Sequence, residues 1–231
     1  MMKEKISDRI RTEVKFVAPI VHYHTVLRWL NDSPTCFSAS FPGRWVNSIY
    51  FDGCEYNAFS DGMRGESTRV KVRYRWYGDS PEPQPGNLEV KVKRNNCGWK
   101  LAFPIQRAPY QPGASWSFVR DSIIRQLDAP ERRWLHEYPF PALIIRYFRR
   151  YFTSMDGRIR VTLDSDEEVW AQPQRSFPNF RHRAVIPQLC ILELKFHPRD
   201  HALASQAIQG IPIRLGRFSK YIAGISSAFS V

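Results

Sequence analysis

Apolar and charged side chains alternate residue by residue in at least five separate segments of this chain, and few architectures can satisfy that pattern. In 68–76, Val70, Val72, Tyr74 and Trp76 fall on one face of an extended strand, and Arg69, Lys71, Arg73 and Arg75 fall on the other. In 88–94, Leu88, Val90 and Val92 alternate with Glu89, Lys91 and Lys93. In 190–196, Leu192, Leu194 and Phe196 alternate with Ile191, Glu193 and Lys195. Near the N-terminus Val14 and Phe16 oppose Arg11, Glu13 and Lys15, and in 158–164 Ile159, Val161 and Leu163 oppose Arg158, Arg160, Thr162 and Asp164. Segment 141–152 is strand-like but mixed, with Tyr147, Arg149 and Tyr151 on one face. Between these strands the periodicity predicts helices over 19–30, 55–61, 115–127, 131–137, 202–208 and 220–226. The Pro/Gly-rich stretches 79–86 and 173–187 read as loops.

A single strand with one charged face is ordinarily a half-buried strand facing water. Five such strands together are harder to explain that way, because rows of like charge repel across neighbouring strands. Arg69, Lys71, Arg73 and Arg75 make sense side by side if an anion supplies the missing charge. The formal net charge of +12 and a pI near 9.8 point the same way. The pattern predicts an α+β fold: an antiparallel β-barrel with its charged faces turned inward as a basic lumen, and helices covering the apolar faces outside. At 231 residues and 43% hydrophobic content, one domain spanning 1–231, with its core at about 11–221, is expected.

Other features bound the function. The basic residues share strands with glutamates and match no nucleic-acid motif, so no nucleic-acid partner is expected. No Walker A sequence is present. Segment 1–11 lacks an apolar signal core and no stretch is long enough to span a bilayer, which predicts a soluble, cytoplasmic protein. Cys36, Cys54, Cys97 and Cys190 form no CxxC and are expected as free thiols. Trp76 reads as core, with stacking on a nucleobase as the alternative. Glutamates among the cations suggest a divalent metal, which takes carboxylate and phosphate oxygens together. Glu193 and Glu89 are the candidates, and the alternation does not choose between that role and pairing with neighbouring Lys and Arg.

An ordered set of segments resembles the VTC domain, the polyphosphate-polymerase branch of the CYTH-like triphosphate tunnel metalloenzymes. They are RTEVKF (11–16), SIYFD (48–52), KVRYRWYG (71–78), LEVKVK (88–93), RYFRRYF (146–152), RIRVTLD (158–164), ILELKF (191–196) and RFSKY (217–221). The tunnel superfamily at large opens with Glu-x-Glu-x-Lys. Here Arg11 takes the first place, which fits the VTC branch and argues against the hydrolases and cyclases built on two glutamates.

The resemblance implies that Arg73, Arg75, Lys91, Arg149 and Arg160 hold a triphosphate-like chain and carry the catalysis. It assigns the metal, Mn²⁺ or Mg²⁺, to Glu193. It adds Lys15, Arg217, Ser219 and Lys220 as phosphate ligands, with Lys195 beside Glu193 on the same strand. The expected activity is metal-dependent transfer of the γ-phosphate of ATP, or another nucleoside triphosphate, onto inorganic polyphosphate. A tripolyphosphatase or nucleoside triphosphatase, and a non-catalytic module binding polyphosphate or inositol phosphate, are the alternatives. The membrane segments and extra domains of the eukaryotic VTC proteins are not found in this sequence, so the expectation is either that the domain feeds no membrane channel or that it uses a separate membrane partner.

Overall fold

A computed structural model describes residues 11–95, 97–172 and 175–229, with the side chain of Cys97 also left undescribed. The segment before Arg11 therefore lies outside the described residues. Among the described residues eight strands form: β1 (Thr12–Pro19), β2 (Ser38–Asp52), β3 (Thr68–Tyr77), β4 (Gly86–Arg94), β5 (Cys97–Ile105), β6 (Phe140–Thr153), β7 (Ile159–Ala171) and β8 (Leu189–Phe196). The α-helices of the described residues are α1 (Tyr23–Asp32), α2 (Asn57–Arg64), α3 (Trp116–Ile124), α4 (Ala129–Glu137), α5 (His201–Ala207) and α6 (Lys220–Phe229). The mixed α+β class is as expected. Strand pairing follows the order β1-β8-β7-β6-β2-β3-β4-β5, with β1 and β5 as the end strands. The β1–β8, β7–β8, β2–β3, β3–β4 and β4–β5 ladders are antiparallel.

The chain divides into two compact units, and β2, β6 and β7 each contribute to both. The first contains residues 11–44, Tyr147–Glu167 and Pro187–Phe218. Its core joins Phe16, Leu163, Leu192, Leu194 and Phe196 from the strands to Val26 and Leu30 of α1 and Ala204 of α5. The second contains Trp45–Arg146, Glu168–Ile186 and residues 219–229. Its core joins Val72, Tyr74, Trp76, Leu88 and Val90 to Trp116, Val119 and Ile123 of α3 and to Trp134 and Leu135 of α4. In both units the apolar strand face is covered by helix, as the alternation requires. Trp76 is fully buried, and its indole N–H donates to the Ser80 carbonyl at 3.1 Å. It is a core residue, and the stacking alternative is set aside.

Local chemistry explains the helix starts. The Ser115 hydroxyl accepts from Phe118 N ahead of α3. At α4 the Glu131 carboxylate accepts from Asp128 N at 3.2 Å. Asp52, at the end of β2, accepts from Ala58 N at 2.9 Å and Phe59 N at 3.1 Å, satisfying two first-turn donors of α2. At Gly86 an added Cβ would lie 2.1 Å from the Arg75 carbonyl oxygen, so only glycine permits the approach of β4 to β3. Cys36, Cys54 and Cys190 are free thiols, as expected. Among the described residues no helix is long and apolar enough to cross a membrane.

Candidate functional site

The second unit carries one charged face. In the β3–β4 ladder Arg73 lies opposite Glu89 and Lys71 opposite Lys91, and in the β4–β5 ladder Lys91 lies opposite Lys100. Three lysines thus stand in one row across three adjacent strands, which is electrostatically unfavourable without a counter-charge. Glu89 supplies counter-charge on this face. One of its oxygens accepts from Arg73 Nε at 2.8 Å and Nη2 at 2.6 Å, with Arg75 Nη1 3.7 Å away. The other accepts from Lys100 Nζ at 2.9 Å. Burial alone would raise the Glu89 pKa, but Arg73, Arg75 and Lys100 outweigh it and pull it down to about 2.

Helix α6 adds its N-terminus to this face. Ser219 Oγ accepts from Lys71 Nζ at 2.9 Å and from Ile222 N at 3.4 Å, so the hydroxyl both caps the helix and is held by the sheet. With both acceptor positions used, its O–H is left to donate. Tyr221 stacks on Tyr50, with centroids 5.1 Å apart and planes at 14°, and its hydroxyl donates to the buried Asp52 carboxylate. The Tyr50 hydroxyl accepts from Arg73 Nη1 at 3.2 Å. Burial would raise the Tyr50 pKa, yet the positive charges of Arg73, Arg75 and Lys220 together lower it.

The first unit carries its own charged face. Across β1, β8 and β7 one row reads Lys15–Glu193–Thr162 and the next Glu13–Lys195–Arg160. Glu193 is 9% exposed and pairs with Lys195 at 2.5 Å and Lys15 at 3.4 Å. Lys15 also pairs with Glu13, and Lys195 lies 3.9 Å from it. Burial opposes ionisation of Glu193, but Lys195 and Lys15 overcome it and hold the carboxyl well below the usual range. Arg149 grips the buried Asp164 with two hydrogen bonds, at 2.6 and 2.8 Å.

The sequence-predicted residues therefore fall into two groups. Arg73, Arg75, Lys91, Ser219, Lys220 and Glu89 share the face of the second unit, and Lys15, Arg149, Arg160, Glu193 and Lys195 belong to the first. Arg217 is exposed in the first unit and joins no ion pair among the described residues. Sequence reasoning left Tyr50, Asp52 and Tyr221 without a role. Tyr50 and Asp52 sit at period two in SIYFD, the same face signal that marked Arg73, and Tyr221 directly follows Lys220.

Among the described residues no three His, Cys, Asp or Glu side chains gather as a metal cage. Glu193 and Glu13 nonetheless share Lys15 and Lys195, which brings two carboxylates to one place. One or two carboxylates, completed by substrate phosphate, are the usual donor set for Mg²⁺, and a divalent cation taken by this pair would replace the Lys15 and Lys195 ammoniums that now lie against its oxygens. Glu89 likewise has both oxygens engaged by cations, Arg73 on one and Lys100 on the other.

The VTC domain family model matches residues 10–229, nearly the whole chain. The chain belongs to the VTC domain family. No curated protein matches it. Among solved structures, the VTC domain is similar to the PH1819 protein from Pyrococcus horikoshii OT3, at 11% identity over 93% of this chain and 97% of that one, with a TM-score of 0.47. It is also similar to a chain of the Schizosaccharomyces pombe Mediator head module, at 12% identity over 85% of this chain and 89% of that one, with a TM-score of 0.42. Family membership points to polyphosphate-related function. In this VTC domain the second unit offers a preformed set of guanidinium, ammonium and hydroxyl donors, the kind of surface that neutralises phosphate oxygens.

Proposed function

We propose that this VTC domain is a polyphosphate polymerase-like phosphotransferase that moves the γ-phosphate of ATP onto a growing polyphosphate chain. The tunnel that the family resemblance implies is proposed with it. The observation that carries the reading is the in-register row Lys71–Lys91–Lys100 beside Arg73 and Arg75, with Glu89 paired among them. A polyanion would bind along such a row of cations, its negative charges matching theirs.

The reaction asks little covalent chemistry of the protein. A terminal oxygen of the growing chain, already anionic, forms a bond to the γ-phosphorus as the bond to the β–γ bridging oxygen breaks, and ADP leaves. Catalysis then rests on positioning and charge neutralisation. Arg73 and Arg75 neutralise charge on the transferring group, oriented by Glu89 and, for Arg73, by Tyr50. Lys71 orients Ser219, whose O–H donates to a phosphate oxygen, and Lys91 and Lys220 add positive charge. In the first unit Arg149, Arg160, Lys15 and Lys195 bind phosphate oxygens. Glu193 with Glu13 would hold Mn²⁺ or Mg²⁺, which supplies further charge neutralisation at phosphate. Glu89 and Glu193 are both held ionised by their cations, and a carboxylate so stabilised is a weak proton acceptor. That favours transfer to phosphate over activation of water.

The test is incubation of the purified protein with ATP and Mn²⁺, followed by separation of phosphate products by length. Long chains with ADP are expected. Free phosphate alone would replace this reading with a hydrolase, and tight triphosphate binding without any product would replace it with a binding module.

A further inference from the structure

A second basic site lies at one end of the charged face in the first unit. It is a pocket of about 240 Å³ whose lining includes Arg11, Arg158, Arg160, Lys195, His197 and Arg199, together with Asp156 and Asp200. Both acids are already committed. The buried Asp200 accepts from Arg158 Nε at 2.9 Å and also from its Nη2. Asp156 accepts from Ser154 Oγ at 2.6 Å and from Arg158 N at 3.1 Å, closing its own turn. Lys195 is taken by Glu193. Arg11, Arg160 and Arg199 remain, and none of the three has an ion pair among the described residues. His197 accepts from Arg199 N at its Nδ1, which leaves Nε2 carrying the proton when the ring is neutral.

We propose that this pocket is a distal subsite for the phosphate chain, gripping units beyond those that react. Arg160 and Lys195 belong both to the pocket and to the charged rows of β7 and β8, so a chain bound along those rows reaches it without a break. Three guanidiniums without acids suit several linked phosphates, because each planar fork takes two phosphate oxygens. A lone triphosphate already held on the rows would gain little from it. The pocket therefore selects for length: it retains the growing chain between additions and sets how many transfers follow one encounter. This inference rests on the proposed function.

The test compares binding of tripolyphosphate and of long-chain polyphosphate by calorimetry, using the full chain and Arg11→Ala/Arg199→Ala. Neither arginine belongs to the reacting set. The double variant is expected to bind tripolyphosphate as the wild type does and to lose affinity for the long chain by about tenfold per guanidinium. Its products from ATP should be shorter at a similar initial rate. Arg64→Ala/Arg125→Ala, which removes the same charge elsewhere, should leave long-chain affinity intact. Equal long-chain affinity in wild type and the pocket variant overturns the subsite, as does an equal loss in the charge-matched control. Failure of the wild type to bind either phosphate overturns the proposed function itself.

Discussion

Replacing Glu89 by glutamine should change stability in a way that depends on pH and on phosphate. Glu89 is 6% exposed and holds Arg73, Arg75 and Lys100. Its carboxyl stays ionised in the folded protein down to about pH 2, whereas the ordinary value is 4.5. At about 1.4 kcal/mol per pKa unit, the difference corresponds to about 3 kcal/mol of folding stability. Because the folded pKa is depressed, that contribution is complete above the unfolded value and is lost as pH falls from about 4.5 to about 2. In Glu89→Gln it is missing at every pH, and the buried Arg75 keeps a neutral amide in place of its partner. Urea denaturation at closely spaced pH values should show the variant less stable by about 3 kcal/mol at neutral pH, with the two proteins converging towards pH 2. Added tripolyphosphate should restore part of the loss, because the anion supplies the negative charge that Glu89 no longer does. Parallel stability curves from pH 7 to pH 2 would refute the pairing argument. Convergence in acid without any differential rescue would refute the anion-binding half of it.

Other substitutions separate the remaining parts. Arg75→Ala and Glu193→Ala should each lower the rate of chain synthesis by about 100- to 1000-fold, with circular dichroism unchanged; wild-type turnover in both would remove them from the site. Tyr221→Phe takes one donor from the buried Asp52 and should cost about 1–3 kcal/mol in urea denaturation, with slower synthesis because Ser219 and Lys220 lose their anchor. Gly86→Ala should destabilise the fold by at least about 1–3 kcal/mol, since its Cβ would meet backbone rather than a flexible side chain. An alanine there with wild-type stability would show that the β3–β4 approach is looser than the structure has it.

Legibility in the sequence followed burial. β3, β4 and β8 read cleanly because one face is packed and the other charged, so the period of two survives. β6 read as mixed because Leu143, Ile144 and Ile145 are all fully buried, leaving no polar face to mark the period. β2 went unassigned because its first seven residues are exposed and its last seven buried, and neither half alternates. β5 was hidden by Gly98 and Pro104, which argue against a strand; Pro104 is tolerated because β5 is an end strand. For the site, residue type announced the cations but not their partners. That Arg149 meets Asp164, or that Lys71 meets Ser219, depends on contacts between segments far apart in sequence, which strand periodicity cannot supply.

The same distinction bears on why a site proposed for an anion should contain a buried carboxylate. Arg73 and Arg75 lie near Lys71, Lys91 and Lys100, and Glu89 lowers the repulsion among them when no phosphate is bound. Glu89 keeps Arg73 in a fixed orientation, with two hydrogen bonds on one edge of its fork and Tyr50 on another. Less reorganisation is then needed when phosphate arrives, and an arginine already aimed at its target gives a larger return in rate than one that must be ordered during the reaction. The cost is competition, since Glu89 and phosphate draw on the same guanidiniums. Glu89→Gln should therefore bind tripolyphosphate more tightly while synthesising chains more slowly. Measured together, tighter binding with faster turnover would show that Glu89 merely offsets charge, whereas tighter binding with slower turnover would show that it aims the arginines.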